Sequence, residues 1–217
     1  MLRSLIRQLD DRSINLSDQK PDRNLFEFDL ALWHWASKLA ITNPSIATSK
    51  FDVNSSIVTA LSKIDPVALP HSGLASGVFC SFKIQSSEKQ ILHQLEKPYQ
   101  IAMDFFEPKP YGYEFDVAYL AIVRKMAEID SKIAAITFGI TNTLALAIST
   151  ATDSQLRQLC STNDQPFKYS LRFSDNVLIS LIKYHAHSKH SERLMLLRYM
   201  HSISNVSVIN SKSGALA

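Results

Sequence analysis

Five glycines in 217 residues leave no glycine-rich cradle for phosphate and few tight hairpins. Cys80 and Cys160 are the only cysteines, which excludes a disulfide framework and a four-cysteine zinc site. Both read as small core thiols in a reducing compartment. No nucleophile elbow, P-loop or HExxH motif is present, and Asp29, Asp104, Glu107 and Asp116 are carboxylates without a legible partner. The expectation is a protein that is not an enzyme, with no catalytic, cofactor or metal site. His185, His187 and His190 are spaced poorly for one helical face and lack a carboxylate or cysteine to complete a ligand set, so they read as surface residues. Long apolar runs are also missing. Ile133 to Ile148 is broken by Thr137, Gly139, Thr141, Asn142 and Thr143 and is too short to span a bilayer. The start, MLRSLIRQLDDRS, has no apolar core of a secretory signal. A soluble, cytoplasmic chain without a membrane segment is expected.

What the chain does have is ordinary globular composition, 46% hydrophobic and 20% charged, with helical spacing of its apolar residues. The formal charge of +3 is compatible with nucleic acid without arguing for it. Residues 1–24 open with an amphipathic stretch, Leu2, Leu5, Ile6 and Leu9 on one face, and continue as a linker through Pro21. A helix is expected from Phe28 to about Ile46, interrupted near Asn43 by Pro44. Asn54, Ser55 and Ser56 offer caps for a helix from Ile57, and Asp65–Pro66 reads as another helix start that Pro70 and Gly73 end within two turns. VFCSFKI, residues 78–84, alternates as a short strand, and Ser86 to Glu88 could cap QILHQLEK. Trp33, Trp35, Phe105 and Phe106 read as core, with an exposed aromatic at an edge as a possible partner dock. Prolines 98, 108 and 110 mark a linker over 98–113.

The pattern then begins again. Phe28 maps to Phe115 at an offset that also carries Asp29 to Asp116, Ala31 to Ala118, Lys38 to Lys125, Phe51 to Phe138 and Ser62 to Ser149. Asp65–Pro66 falls on Thr152–Asp153, and about two inserted residues then bring FCSFKI over KYSLRF. Two copies of one small helical unit are expected, residues 25–97 and 114–202, followed by a Ser- and Asn-rich tail over 203–217. A helix follows Phe173, and a last one is expected over about Ser191 to His201.

FDVAYLAIVRKMAEIDSKIAAITFGI, ALAISTATDSQLRQLCSTN and the strand YSLRF resemble the flagellar master-regulator subunit FlhD; residues 25–95 resemble it more weakly. The resemblance implies a mainly α fold of two tandem FlhD-like units in an intrachain pseudo-dimer, each with one short β-strand. It implies a transcription activator that acts in a hetero-oligomer with an FlhC-like, zinc-binding partner on promoter DNA, touching RNA polymerase, with further self-association open. Flagellar and conjugative-transfer genes are both open as targets. Asp130 and Asn163 stand where the family has the same residue. Cys80 takes a strand position where family members can carry an interface cysteine, aligned here with Tyr169. Cys80, Phe82, Asp130, Asn163 and Tyr169 are therefore expected at the pseudo-dimer or partner interface, with a Cys80–Cys80 bridge excluded. For DNA, Gln155, Arg157 and Gln158 would face out from a short helix as base readers, or form a solvated face. Arg124, Lys125, Lys132, Lys168 and Arg172 would contact phosphates. The other reading is an interaction protein that titrates a regulator or acts as a secretion-type chaperone, without DNA contact.

Overall fold

In the computed structural model, residues 22–184 are described, apart from 68, 73, 76, 98–108 and 162–166. They are mainly helical. The elements run α1 (Arg23–Thr42), α2 (Pro44–Phe51), α3 (Ser55–Leu61), β1 (Phe82–Ile84), α4 (Glu88–Leu95), α5 (Tyr113–Ile129), α6 (Ser131–Phe138), α7 (Asn142–Thr150), α8 (Asp153–Ser161), β2 (Tyr169–Leu171) and α9 (Asp175–Tyr184). Side-chain caps set several of the boundaries. Asp22 accepts from the Leu25 N–H, Asn43 from Ile46, Asn54 from Ile57, Asp130 from Lys132 and Ile133, and Thr141 from Leu144. Asn43 and Pro44 split the first helix as expected, but α1 begins at Arg23, five residues before Phe28, because Asp22 caps it.

Two expected elements are corrected. Among the described residues no α-helix follows Asp65–Pro66; Asp65 accepts from the Val67 N–H in a side-chain turn, and a 3-10 turn, Leu69–His71, comes next. Pro66 and Pro70 within five residues leave too few backbone donors for a helical ladder. The strand expected over 78–84 shrinks to Phe82–Ile84. The Cys80 N–H donates instead to Thr137 O, and the Ser81 N–H to the Asp29 carboxylate, so neither can join a ladder. The expected N-terminal helix, the 98–113 linker up to 108 and the last helix lie outside the described residues.

β1 and β2 pair antiparallel, Phe82 with Leu171, Lys83 with Ser170 and Ile84 with Tyr169. The strands start 87 positions apart, as do α2 and α6, α3 and α7, and α4 and α9. The strands keep the spacing of those helices without the two-residue insertion expected before the second strand, and at that spacing Phe82, not Cys80, falls on Tyr169.

The segments on either side of the strand pair are interlocked. α4 packs on α7 and α8, α9 packs on α3, α2 touches β2, and α6 touches β1. The first residue of each late helix grips the cap of a helix in the other segment. Glu88 accepts from the Thr141 N–H, and the Asn54 side chain donates to Asp175. The shared core is aromatic at its centre. Trp33 meets Phe82 edge-on at 5.0 Å, and Tyr119 lies 5.3 Å from both Phe138 and Tyr169. Burying each ring stabilises the fold by about 2–3 kcal/mol.

At the entry to α5 the chain passes close to this core. Gly112 has φ +86°, and a Cβ there would sit 2.5 Å from Trp35 Cη2. Trp35 cannot yield, because it is stacked on Phe115 at 4.5 Å and meets Phe51 edge-on at 5.2 Å. Gly112→Ala should cost about 2–4 kcal/mol, from left-handed strain and overpacking together. Urea unfolding checks this: an unchanged midpoint would show that the turn can relax away from Trp35.

Candidate functional site: surface cations and a buried polar centre

Gln155, Arg157 and Gln158 were expected on the exposed face of the helix after Thr152–Asp153; Arg157 is exposed, and Gln155 is engaged at the start of that helix. Gln155 Oε1 accepts from the Thr152 N–H and hydroxyl, while the Gln155 N–H donates to Thr152 Oγ1. This is a reciprocal helix cap, and it leaves Gln155 Nε2 to donate to Leu95 O at the end of α4. Arg124 reaches from α5 to pair with Asp153 and to donate to Ala151 O. Both side chains hold helices together.

Arg172 is also committed. Its guanidinium donates to the Ile136 and Thr137 carbonyls at the end of α6 and lies over the Phe79 ring at 5.5 Å. Burial lowers its pKa, opposed by the acidic and phenolic groups around it. These bonds tie Arg172 to the end of α6. Lys125 on α5, Lys132 in the first turn of α6, Arg157 on α8 and Lys168 before β2 are exposed, and Gln158 is half-buried. They lie on three helices and on the stretch before β2. Lys125 borders a groove that also holds Asp22 and Glu27, so its surroundings are of mixed sign.

Of the expected interface residues, Phe82 and Tyr169 lie fully buried at the strand pair, where the two segments meet. Asp130 serves as the cap of α6. Asn163 lies outside the described residues, as do His185, His187 and His190. Trp33 and Trp35 are core, as the spacing implied.

The feature that sequence reasoning missed is a pair of buried carboxylates. Asp116 is 1% exposed and receives Lys50 Nζ on both oxygens, at 2.9 and 2.8 Å, together with the Tyr169 hydroxyl at 2.7 Å. Burial pushes the Asp116 carboxyl up and the Lys50 amine down, and the pair itself opposes both shifts. Lys50 Nζ also lies 5.6 Å from the Trp35 ring and 5.3 Å from that of Tyr169. This lysine is therefore an internal cation, 6% exposed, and no surface contact.

Asp29 sits 87 positions before Asp116 and has no lysine. Position 137, which lies 87 after Lys50, is the buried Thr137. Asp29 accepts instead from the Ser81 N–H at 2.9 Å, the Ser81 hydroxyl at 2.7 Å and the Cys80 thiol at 3.7 Å. Burial raises its pKa to about 7, with the Ser81 and Cys80 hydrogen bonds and Arg172 pulling the other way. Burial likewise pushes both thiols up, so neither cysteine is set up as a nucleophile. The signal for these groups was in the sequence: Asp29 and Asp116 recur at one offset inside apolar helical stripes, where a solvated carboxylate is out of place.

Among the described residues no group of three His, Cys, Asp or Glu could hold a metal ion. Among those residues no single helix is long and apolar enough to cross a membrane; α6 and α7 pass only as a pair, bent by 115°. Residues 113–205, a little under half of the chain, match the family model described as flagellar transcriptional activator (FlhD). That family is one of transcription regulators, not enzymes. No curated protein and no solved structure matches the chain.

Proposed function

We propose that this protein is a transcription-activator subunit containing two FlhD-like units in one polypeptide, acting with an FlhC-like zinc-binding regulator on promoter DNA. The observation that carries the reading is the match of residues 113–205 to a transcriptional-activator family. The tandem part of the proposal is supported by the recurrence of four element starts at 87 positions, and by a strand pair centred on Lys83 and Ser170, themselves 87 apart. The reciprocal packing of α4 and α9 is what two copies of one unit would make around a twofold axis. On this reading, a dimer that needs two chains in the family is one chain here, and its two faces differ in sequence.

The DNA contacts of the complex would come from Lys125, Lys132, Arg157 and Lys168, which are exposed, with Gln158 beside Arg157. Such cations neutralise phosphates and set register. Arg124, Gln155 and Arg172 act by keeping α5, α8 and the strand pair in place. Activation would follow from a face of the complex that touches RNA polymerase.

The first experiment is co-expression with an FlhC-like protein, then size-exclusion chromatography with light scattering, then promoter titration over a range of salt. The complex should bind with a steep salt dependence, and Lys125→Ala and Arg157→Ala should each reduce the slope by about 1. Unaltered slopes in both variants would remove these residues from the interface. A second reading, an interaction protein without DNA contact, is favoured by the commitment of Arg124, Gln155 and Arg172 to intramolecular bonds. It predicts a stable partner complex that ignores promoter DNA at every salt concentration.

A further inference from the structure

Lys125, Lys132, Arg157 and Lys168, the exposed cations proposed for DNA, all belong to the second unit. The residues 87 positions earlier are what the first unit has in their place. Lys38 precedes Lys125 at that spacing and is exposed as well. Ser45 precedes Lys132, Pro70 precedes Arg157, and the fully buried Ser81 precedes Lys168. Three of the four charges are therefore present on one unit only.

The helix that carries Arg157 is not repeated either. α8 runs nine residues, with Ser154, Arg157 and Gln158 on one side at three- and four-residue spacing. The stretch 87 positions before it starts at Pro66 and Val67, both exposed, and forms the 3-10 turn Leu69–His71. No arginine, asparagine or glutamine occurs from Ser62 to Ser72, so the guanidinium and amide groups that pair with base edges are missing there. The one lysine of that stretch, Lys63, is followed by Asp65, both exposed. The bond that fixes α8 is single too. Arg124 holds Asp153 and the Ala151 carbonyl, whereas the residue 87 before Arg124 is the buried Ser37.

We infer that DNA is contacted through the second unit alone, so that one chain reads a single half-site in one fixed orientation and its two units do not read an inverted repeat. The inference rests on the DNA-binding function proposed above. A protein with two equivalent reading helices mirrors its own twofold axis in a palindromic site, with half-sites set by the spacing of those helices. Here the elements recur, and the second reader does not: α8 and three cations are missing from one side. The first unit acts from inside the fold. Lys50 holds Asp116, and Glu88 accepts from the Thr141 N–H at the start of α7, so this unit keeps the contacting one in shape.

The test uses the full chain in complex with an FlhC-like protein, and a duplex that this complex enriches from a random-sequence pool. Thr150 and Lys63 are exposed and 87 positions apart, Thr150 just before α8 and Lys63 just before the stretch that lacks it. Cys80 and Cys160 are buried, so an iron–EDTA thiol reagent marks an introduced cysteine. With Thr150→Cys the labelled complex should cut the duplex. With Lys63→Cys cutting should fall to the level of unattached reagent. Lys38→Ala should leave the salt slope of binding unchanged, while Arg157→Ala lowers it by about 1. Cutting from position 63, or a slope lowered by Lys38→Ala, would place the first unit on DNA and overturn the inference. Binding without cutting from position 150 would overturn it too, by leaving the contact to the partner. A complex that binds no duplex at any salt concentration would bring down the DNA-binding function and this inference with it.

Discussion

Between about pH 4 and pH 7 the unfolding free energy should fall, and Asp29→Asn should remove most of the fall. Asp29 is fully buried, and burial raises its carboxyl to about 7. In the unfolded chain the same group releases its proton near the ordinary carboxylate value of 3.8. Between these values the native state holds a proton that the unfolded state has lost, so raising the pH favours unfolding. Stability from this group is therefore fully present below about 4 and is lost as pH rises through about 7. The whole effect is on the order of 4 kcal/mol.

Burial favours the protonated form, against the Ser81 and Cys80 hydrogen bonds and Arg172. A protonated Asp29 can donate to Ser81 Oγ, which then passes its own hydrogen to Leu74 O at 3.0 Å. The ionised form needs the Ser81 hydrogen for itself and takes it from that carbonyl. An asparagine reproduces the neutral state: its amide donates to Ser81 Oγ while its oxygen accepts from the Ser81 N–H. Asp116 is raised by burial too, so some slope should remain in the variant. Urea midpoints at half-unit steps from pH 4.5 to 7.5 decide the matter. Parallel curves for the two proteins would show that Asp29 does not titrate in this window.

Lys50→Met should be the costliest single change at the polar centre, at about 3–5 kcal/mol. It leaves the Asp116 carboxylate in the core with only the Tyr169 hydroxyl as a partner. The value of the pair does not set this cost; the stranded charge does. Adding Asp116→Asn should therefore recover most of the loss, because the amide oxygen can still accept from Tyr169 and no charge remains. The readout is the urea midpoint at pH 7 with an unchanged m-value. A loss below about 1 kcal/mol for Lys50→Met would mean that water reaches Asp116 and that the centre is not sealed.

Asp29 and Asp116 also show where reading the sequence stops. Their recurrence at one offset is visible in the chain, and so is the exchange of Lys50 for Thr137. Their partners are not visible: Ser81 is 52 residues from Asp29, and Lys50 is 66 from Asp116. The surface cations tell the same story. Arg124, Lys125 and Arg157 look alike as letters on amphipathic helices, and Arg172 as one more cation at the end of a strand. Only the placement of Asp153, the Ala151 carbonyl and the end of α6 separates the two that staple the fold from the two that face water.

The same boundary explains the elements. The break at Asn43–Pro44, the caps at Asn54 and Thr141 and the core positions of Trp33 and Trp35 follow from side chains within four residues of the backbone they serve. That is the range over which sequence dictates structure directly. VFCSFKI satisfies every local requirement for a seven-residue strand and makes only three, because Asp29 and Thr137 take the amides of Ser81 and Cys80. The sequence by itself determined a mainly helical chain, the helix caps and a resemblance to a regulator family. Tertiary structure alone decided which charges are internal and how α4 and α9 cross to the opposite segment. Those outcomes depend on which distant groups lose water together, and burial is a property of the whole fold.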